Sequence, residues 1–80
     1  MRAKKIRRLY IIGAGFAGRT LANEIRSKAV LGEVVAFLDD EKERIGQDLD
    51  GIPVLGPVRN VARLLRMKSG DEAVIAMPDV

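Results

Sequence analysis

Three glycines in Gly13-Ala14-Gly15-Phe16-Ala17-Gly18 stand at G-x-G-x-x-G spacing, directly between an apolar run and an amphipathic stretch. That placement constrains the fold more than any other feature of the chain. Upstream, Leu9-Tyr10-Ile11-Ile12 is continuously apolar and stops at Gly13, as expected of a parallel strand buried on both faces. Downstream, from Phe16 to about Ala29, residues Ala17, Leu21, Ala22, Ile25 and Ala29 share one stripe, while Arg19, Asn23, Arg26 and Lys28 fall mostly off it. This periodicity predicts an amphipathic helix. Strand, glycine turn and helix in that order open a dinucleotide-binding unit.

The glycines have separate tasks. Gly13 permits a sharp turn out of the strand, Gly15 lets a pyrophosphate approach where a Cβ would stand, and Gly18 lets the helix lie close to the sheet. The N–H groups near Phe16 to Gly18 then point at the anion with the positive end of the helix dipole. Arg19, one residue further on, is a candidate for a phosphate or a partner's carboxylate, although a lone surface arginine is more often solvated. A second apolar run, Val34 to Leu38, ends at Asp39, 21 residues past Gly18. There the fingerprint expects an acid to accept from ribose hydroxyls. The candidate nucleotide contacts are therefore Gly13, Ala14, Gly15, Phe16, Ala17, Gly18, Arg19 and Asp39, with Asp40 beside it. A carboxylate at this place repels a 2′-phosphate and favours an unphosphorylated dinucleotide, an inference that Lys42 and Arg44 soften.

The remaining pattern is that of further α/β units. Asp40 to Asp50 is polar and reads as an irregular crossing loop ending at Gly51. A short strand at Pro53–Leu55 leads to Pro57, suited to a first helical position, and a helix from Val58 to about Lys68 with Val58, Val61, Ala62 and Leu65 inward. Gly70 stops it, and a last strand runs from Ala73 to Met77 before Pro78. The prediction is one Rossmann-like α/β domain over residues 1–80, a parallel sheet of about four strands in the order 3-2-1-4 with helices on both faces. It reads as a truncated front half whose edge strand calls for a partner, either the rest of a larger polypeptide or a second protomer.

Catalysis fails on inventory. The chain has no His and no Cys, so neither the commonest general base nor a thiolate is at hand. Tyr10 is the single tyrosine and Ala14 stands four residues on, so the Tyr-x-x-x-Lys pair of short-chain dehydrogenases is missing. Ser27 and Ser69 have no His to activate them. Asp39-Asp40-Glu41 and Asp48-x-Asp50-Gly51 lack the spacing of a calcium loop, so no catalytic and no metal-binding residues are expected. Much of the net charge of +3 comes from a basic arm over residues 1–8. Five cations beside no aromatic platform argue against a nucleic-acid partner and leave proximity to an anionic membrane open. The longest apolar stretches fall far short of the roughly 18 residues of a spanning helix, and no signal-peptide core follows the start. The expected location is cytoplasmic.

Ile11 to Arg19, Val35-Ala36-Phe37-Leu38-Asp39-Asp40, Gly51-Ile52-Pro53-Val54-Leu55-Gly56 and Ala76-Met77-Pro78 together give the chain a family likeness. It resembles the N-terminal Rossmann-like, CoA-binding-like domain of CapD-type polysaccharide-biosynthesis proteins, the membrane-associated nucleotide-sugar 4,6-dehydratases and epimerases. The resemblance implies a cytosolic module that follows membrane helices and precedes a separate catalytic Rossmann domain holding the Tyr and Lys. It carries Gly13, Gly15, Gly18 and Asp39 over as nucleotide contacts and would set Lys4 to Arg8 near the membrane. The nucleotide-binding domain of Rex repressors and the small N-terminal domain of sugar acetyltransferases are similar as well. The expected function is a binding module for NAD or a UDP-sugar belonging to a nucleoside-diphosphate-sugar epimerase or dehydratase. Alternatives are an NAD(H)-sensing regulatory domain and a self-associating scaffold.

Overall fold

A run of residues that are apolar on both faces has one stable place, the middle of a covered sheet. In the computed structural model, which describes residues 7–28, 32–67 and 72–75, β1 (Arg8–Ile12) occupies that place. It is followed by α1 (Phe16–Lys28), β2 (Glu33–Leu38), β3 (Asp48–Leu49), β4 (Ile52–Gly56), a 3-10 turn at Val58–Asn60, α2 (Val61–Met67) and β5 (Glu72–Ile75). The sheet order is β3-β4-β2-β1-β5. β1 pairs in parallel with β2 and β5, and β2 with β4. These four strands reproduce the expected 3-2-1-4 order. The fifth, β3, was not expected and lies antiparallel to β4.

Side chains leave β1 alternately to the two faces. Leu9 and Ile11 join Val34, Phe37, Ile52 and Val54 under Ala22 and Ile25 of α1. Tyr10 and Ile12 join Ala36 and Leu38, where Val58, Val61, Leu64 and Leu65 pack. β2 departs from strict alternation because Leu9 faces Val34 and Tyr10 faces Ala36. Val35 is thus one extra residue, a bulge that lets both Val35 and Ala36 serve the α2 face.

Several boundaries move. Leu64 rather than Ala62 packs inward from α2, and Ala62 is exposed. Pro57 is the extended residue before the 3-10 turn, φ −70° and ψ 158°, rather than its first helical residue. The polar segment after Asp40 is a series of turns, as expected of a crossing loop, but it closes on a hairpin. Asp50 and Gly51 both take positive φ, 54° and 86°, the geometry of the tight turn that Asp-Gly favours between antiparallel strands. Ala29, Lys68, Gly70, Met77, Pro78 and residues 1–6 of the basic arm lie outside the described residues. Among the described residues no helix is long and apolar enough to cross a membrane.

Candidate functional site

The parallel strands β1, β2 and β4 end side by side, and their ends are stitched together. Gly13 N–H donates to the Leu38 carbonyl at 2.7 Å, and Asp39 N–H donates to the Gly56 carbonyl at 3.0 Å. The carboxyl edge of the sheet is where open α/β folds bind ligands, and the glycine turn crosses it. Gly13 leaves β1 with φ 108°, a conformation that L-residues rarely adopt. The helix then begins at once. Arg19 N–H makes the first intrahelical bond, to Gly15 O at 3.0 Å, so the N–H groups of Phe16, Ala17 and Gly18 have no acceptor within α1. No acidic residue occupies the first turn of α1. The positive end of the helix dipole therefore meets no carboxylate from that turn.

Gly18 is required by contact. A Cβ there would overlap the Gly13 carbonyl oxygen and stand 2.8 Å from its carbon, so the helix sits on the turn at a distance only glycine permits. Gly15 differs. The nearest atoms that a Cβ on it would meet are those of the Arg44 guanidinium, at 3.4 Å from Nη1, 3.6 Å from Nη2 and 3.7 Å from Cζ. The surface of Gly15, where a diphosphate would approach, is covered by a cation.

Arg44 is held there by Asp39. Asp39 Oδ2 accepts from Ala14 N–H at 2.7 Å and from Arg44 Nη1 at 3.0 Å, and Oδ1 accepts from Glu41 N–H at 2.8 Å. Burial pushes this carboxyl up, but the N–H groups of Ala14 and Glu41 and the Arg44 guanidinium outweigh it and hold the group below its ordinary value. The acid at the end of β2 is thus an ionised clamp that ties the glycine turn to the following segment. Turns after Glu41 bring Arg44 back: Arg44 and Ile45 N–H groups both donate to Glu41 O, and Gly46 N–H donates to Val54 O at 2.9 Å, anchoring the segment on β4.

The other candidates fall in different places. Ala14 is buried and Ala17 partly so, whereas the Phe16 ring stands 81% exposed beside the turn. Arg19 is exposed on α1. Asp40 accepts from Val58 N–H at 2.9 Å, joining the end of β2 to the start of the 3-10 turn. In the sequence Arg44 stands out only as a charge near Asp39. Its position over Gly15 depends on a turn that carries no periodic signal.

The fold agrees with what this chain is similar to. The profile of a protein family described as a CoA-binding domain matches residues 1–79. Among solved structures, UDP-D-quinovosamine 4-dehydrogenase from Vibrio fischeri superposes with a TM-score of 0.79 at 26% identity, over 95% of this chain and 61% of that one. The chain thus spans less than two thirds of that protein's crystallised length. No curated protein sequence matches it at a significant level.

Proposed function

The chain belongs to the CoA-binding domain family, and from that premise we propose that it is a nucleotide-binding module serving a nucleoside-diphosphate-sugar epimerase or dehydratase of polysaccharide biosynthesis. The observation that carries this reading is the glycine turn at the carboxyl edge of the sheet, with the N-terminus of α1, free of acidic residues in its first turn, on one side and a cation on the other. A diphosphate suits that setting: it is the anion that helix N-termini bind, and Gly15 leaves it room. The exposed Phe16 ring next to the turn offers a flat apolar surface to a nucleoside.

In this reading the module holds and orients the ligand, either NAD or a UDP-sugar, and the chemistry on a sugar belongs to another domain. The solved relative is named a UDP-sugar dehydrogenase, which favours that ligand class. β5 supports a larger assembly, because among the described residues it is a sheet edge with one neighbour, β1. A cytoplasmic setting goes with such ligands.

Calorimetric titration with NAD, UDP-N-acetylglucosamine and coenzyme A, paired with amide chemical shifts, tests the proposal. Binding with shifts concentrated at Gly13 to Gly18 is the expected result. A folded protein that shows neither heat nor shifts with any of the three would sink it.

A further inference from the structure

We propose that Arg44 is the phosphate-binding cation of the glycine turn, a guanidinium that a bound diphosphate draws from Asp39 onto itself. The inference rests on the nucleotide reading of the site and adds a residue and a coupling to it.

Position is the first argument. Nη1, Nη2 and Cζ of Arg44 all lie within 3.7 Å of the point where a Gly15 side chain would begin. A diphosphate against the turn therefore enters the space beside this group and either pairs with it or displaces it. Pairing is favoured, since an arginine fork matches phosphate oxygens and the helix N–H groups supply only partial charges.

The second argument is that Arg44 is free to change partner. Its side chain is 42% exposed, against 10% for Asp39, so the guanidinium is the solvent-accessible member of the pair. Asp39 keeps two donors if Arg44 leaves, the N–H groups of Ala14 and Glu41. No bare buried charge results.

Exchange of this kind links two recognition events. In the structure Arg44 occupies one approach to Asp39 Oδ2. When phosphate takes the guanidinium, that lone pair becomes available to a ribose hydroxyl of the same ligand. A nucleoside without phosphates must evict Arg44 unaided, so the site discriminates strongly for the diphosphate.

The test compares the wild-type full chain with Arg44→Gln and Arg44→Lys by titration with UDP, uridine, ADP, adenosine and inorganic pyrophosphate at two salt concentrations. Loss of one charge-assisted contact should weaken diphosphate and pyrophosphate binding on the order of 10- to 100-fold in Arg44→Gln, with a shallower salt dependence. Nucleoside affinity should be unchanged or tighter, and Arg44→Lys should fall between. An equal loss for nucleoside and diphosphate, as a merely structural role gives, or no loss for either, overturns the assignment while leaving the nucleotide reading intact. A wild type that binds none of the five removes both. Should the Gln variant fail to fold, the Arg44 Nε–H resonance of the wild type decides: it must move with added pyrophosphate, and an unmoved signal overturns the proposal.

Discussion

Alanine at Gly15 and alanine at Gly18 should separate binding from folding, although both residues belong to one turn. At position 18 the added Cβ meets the Gly13 carbonyl, and backbone cannot swing aside as a side chain can. Gly18→Ala is expected to destabilise the chain by about 1–3 kcal/mol, the usual range for overpacking, read as a lower urea midpoint. At position 15 the new methyl first meets the end of a flexible arginine, at 3.4 Å, so Gly15→Ala should keep its midpoint nearly unchanged and lose the ligand heat. Asp39 makes the second residue-scale prediction. Its folded pKa is lowered, so its contribution to stability is complete above the unfolded value of about 3.9 and is lost as pH falls through the folded value. Asp39→Asn should cost about 1–3 kcal/mol at pH 7, and the gap to wild type should close in acid. Urea unfolding of both proteins between pH 7 and pH 3 measures this, and a gap that is constant with pH would count against the ionised clamp.

Among the elements, those that bury apolar residues on a repeating period were legible in the sequence. β1, β2 and α1 follow from unbroken apolar runs and a helical stripe, and the glycine turn between them follows from its spacing. β3 was not legible in that way. It is two residues long, Asp48 is exposed, and the period is too short to register; the signal that does exist is Asp50-Gly51 flanked by Leu49 and Ile52, a hairpin pattern at the end of what reads as a crossing loop. The hairpin is closed locally, since Asp48 Oδ1 accepts from Gly51 N–H at 2.7 Å. Arg26 of α1 adds a tie to this hairpin by donating to Asp50 O at 2.7 Å. Both bonds are exposed, so Asp48→Ala should cost only about 0.5–1.5 kcal/mol. The check is faster amide exchange at Gly51 with little change at Ile11. In the candidate site the same rule holds: the glycines and Asp39 are marked by local spacing, whereas Arg44 reaches Gly15 through turns whose geometry depends on β4.

At the scale of the molecule, the site is built from segments that have no other reason to meet. β1 brings Gly13, α1 brings Gly18, β2 brings Asp39, and the turns anchored on β4 bring Arg44. A domain of 80 residues has on the order of 4–12 kcal/mol of stability, so a ligand touching all four segments adds a sizeable fraction of the whole. Ligand at a hundred times its dissociation constant contributes about 2.7 kcal/mol if it binds only the folded chain. With a shift of roughly 4–8 °C per kcal/mol for a domain this small, the melting temperature should rise by about 10–20 °C. The rise should continue with the logarithm of ligand concentration rather than level off, because mass action on the folded state has no ceiling. Gly15→Ala, folded but unable to admit the diphosphate, should melt at one temperature whatever the nucleotide concentration. Differential scanning calorimetry of both proteins across a thousandfold range of UDP-sugar makes the comparison. Equal shifts in the two would mean that the nucleotide stabilises the chain from somewhere other than the turn.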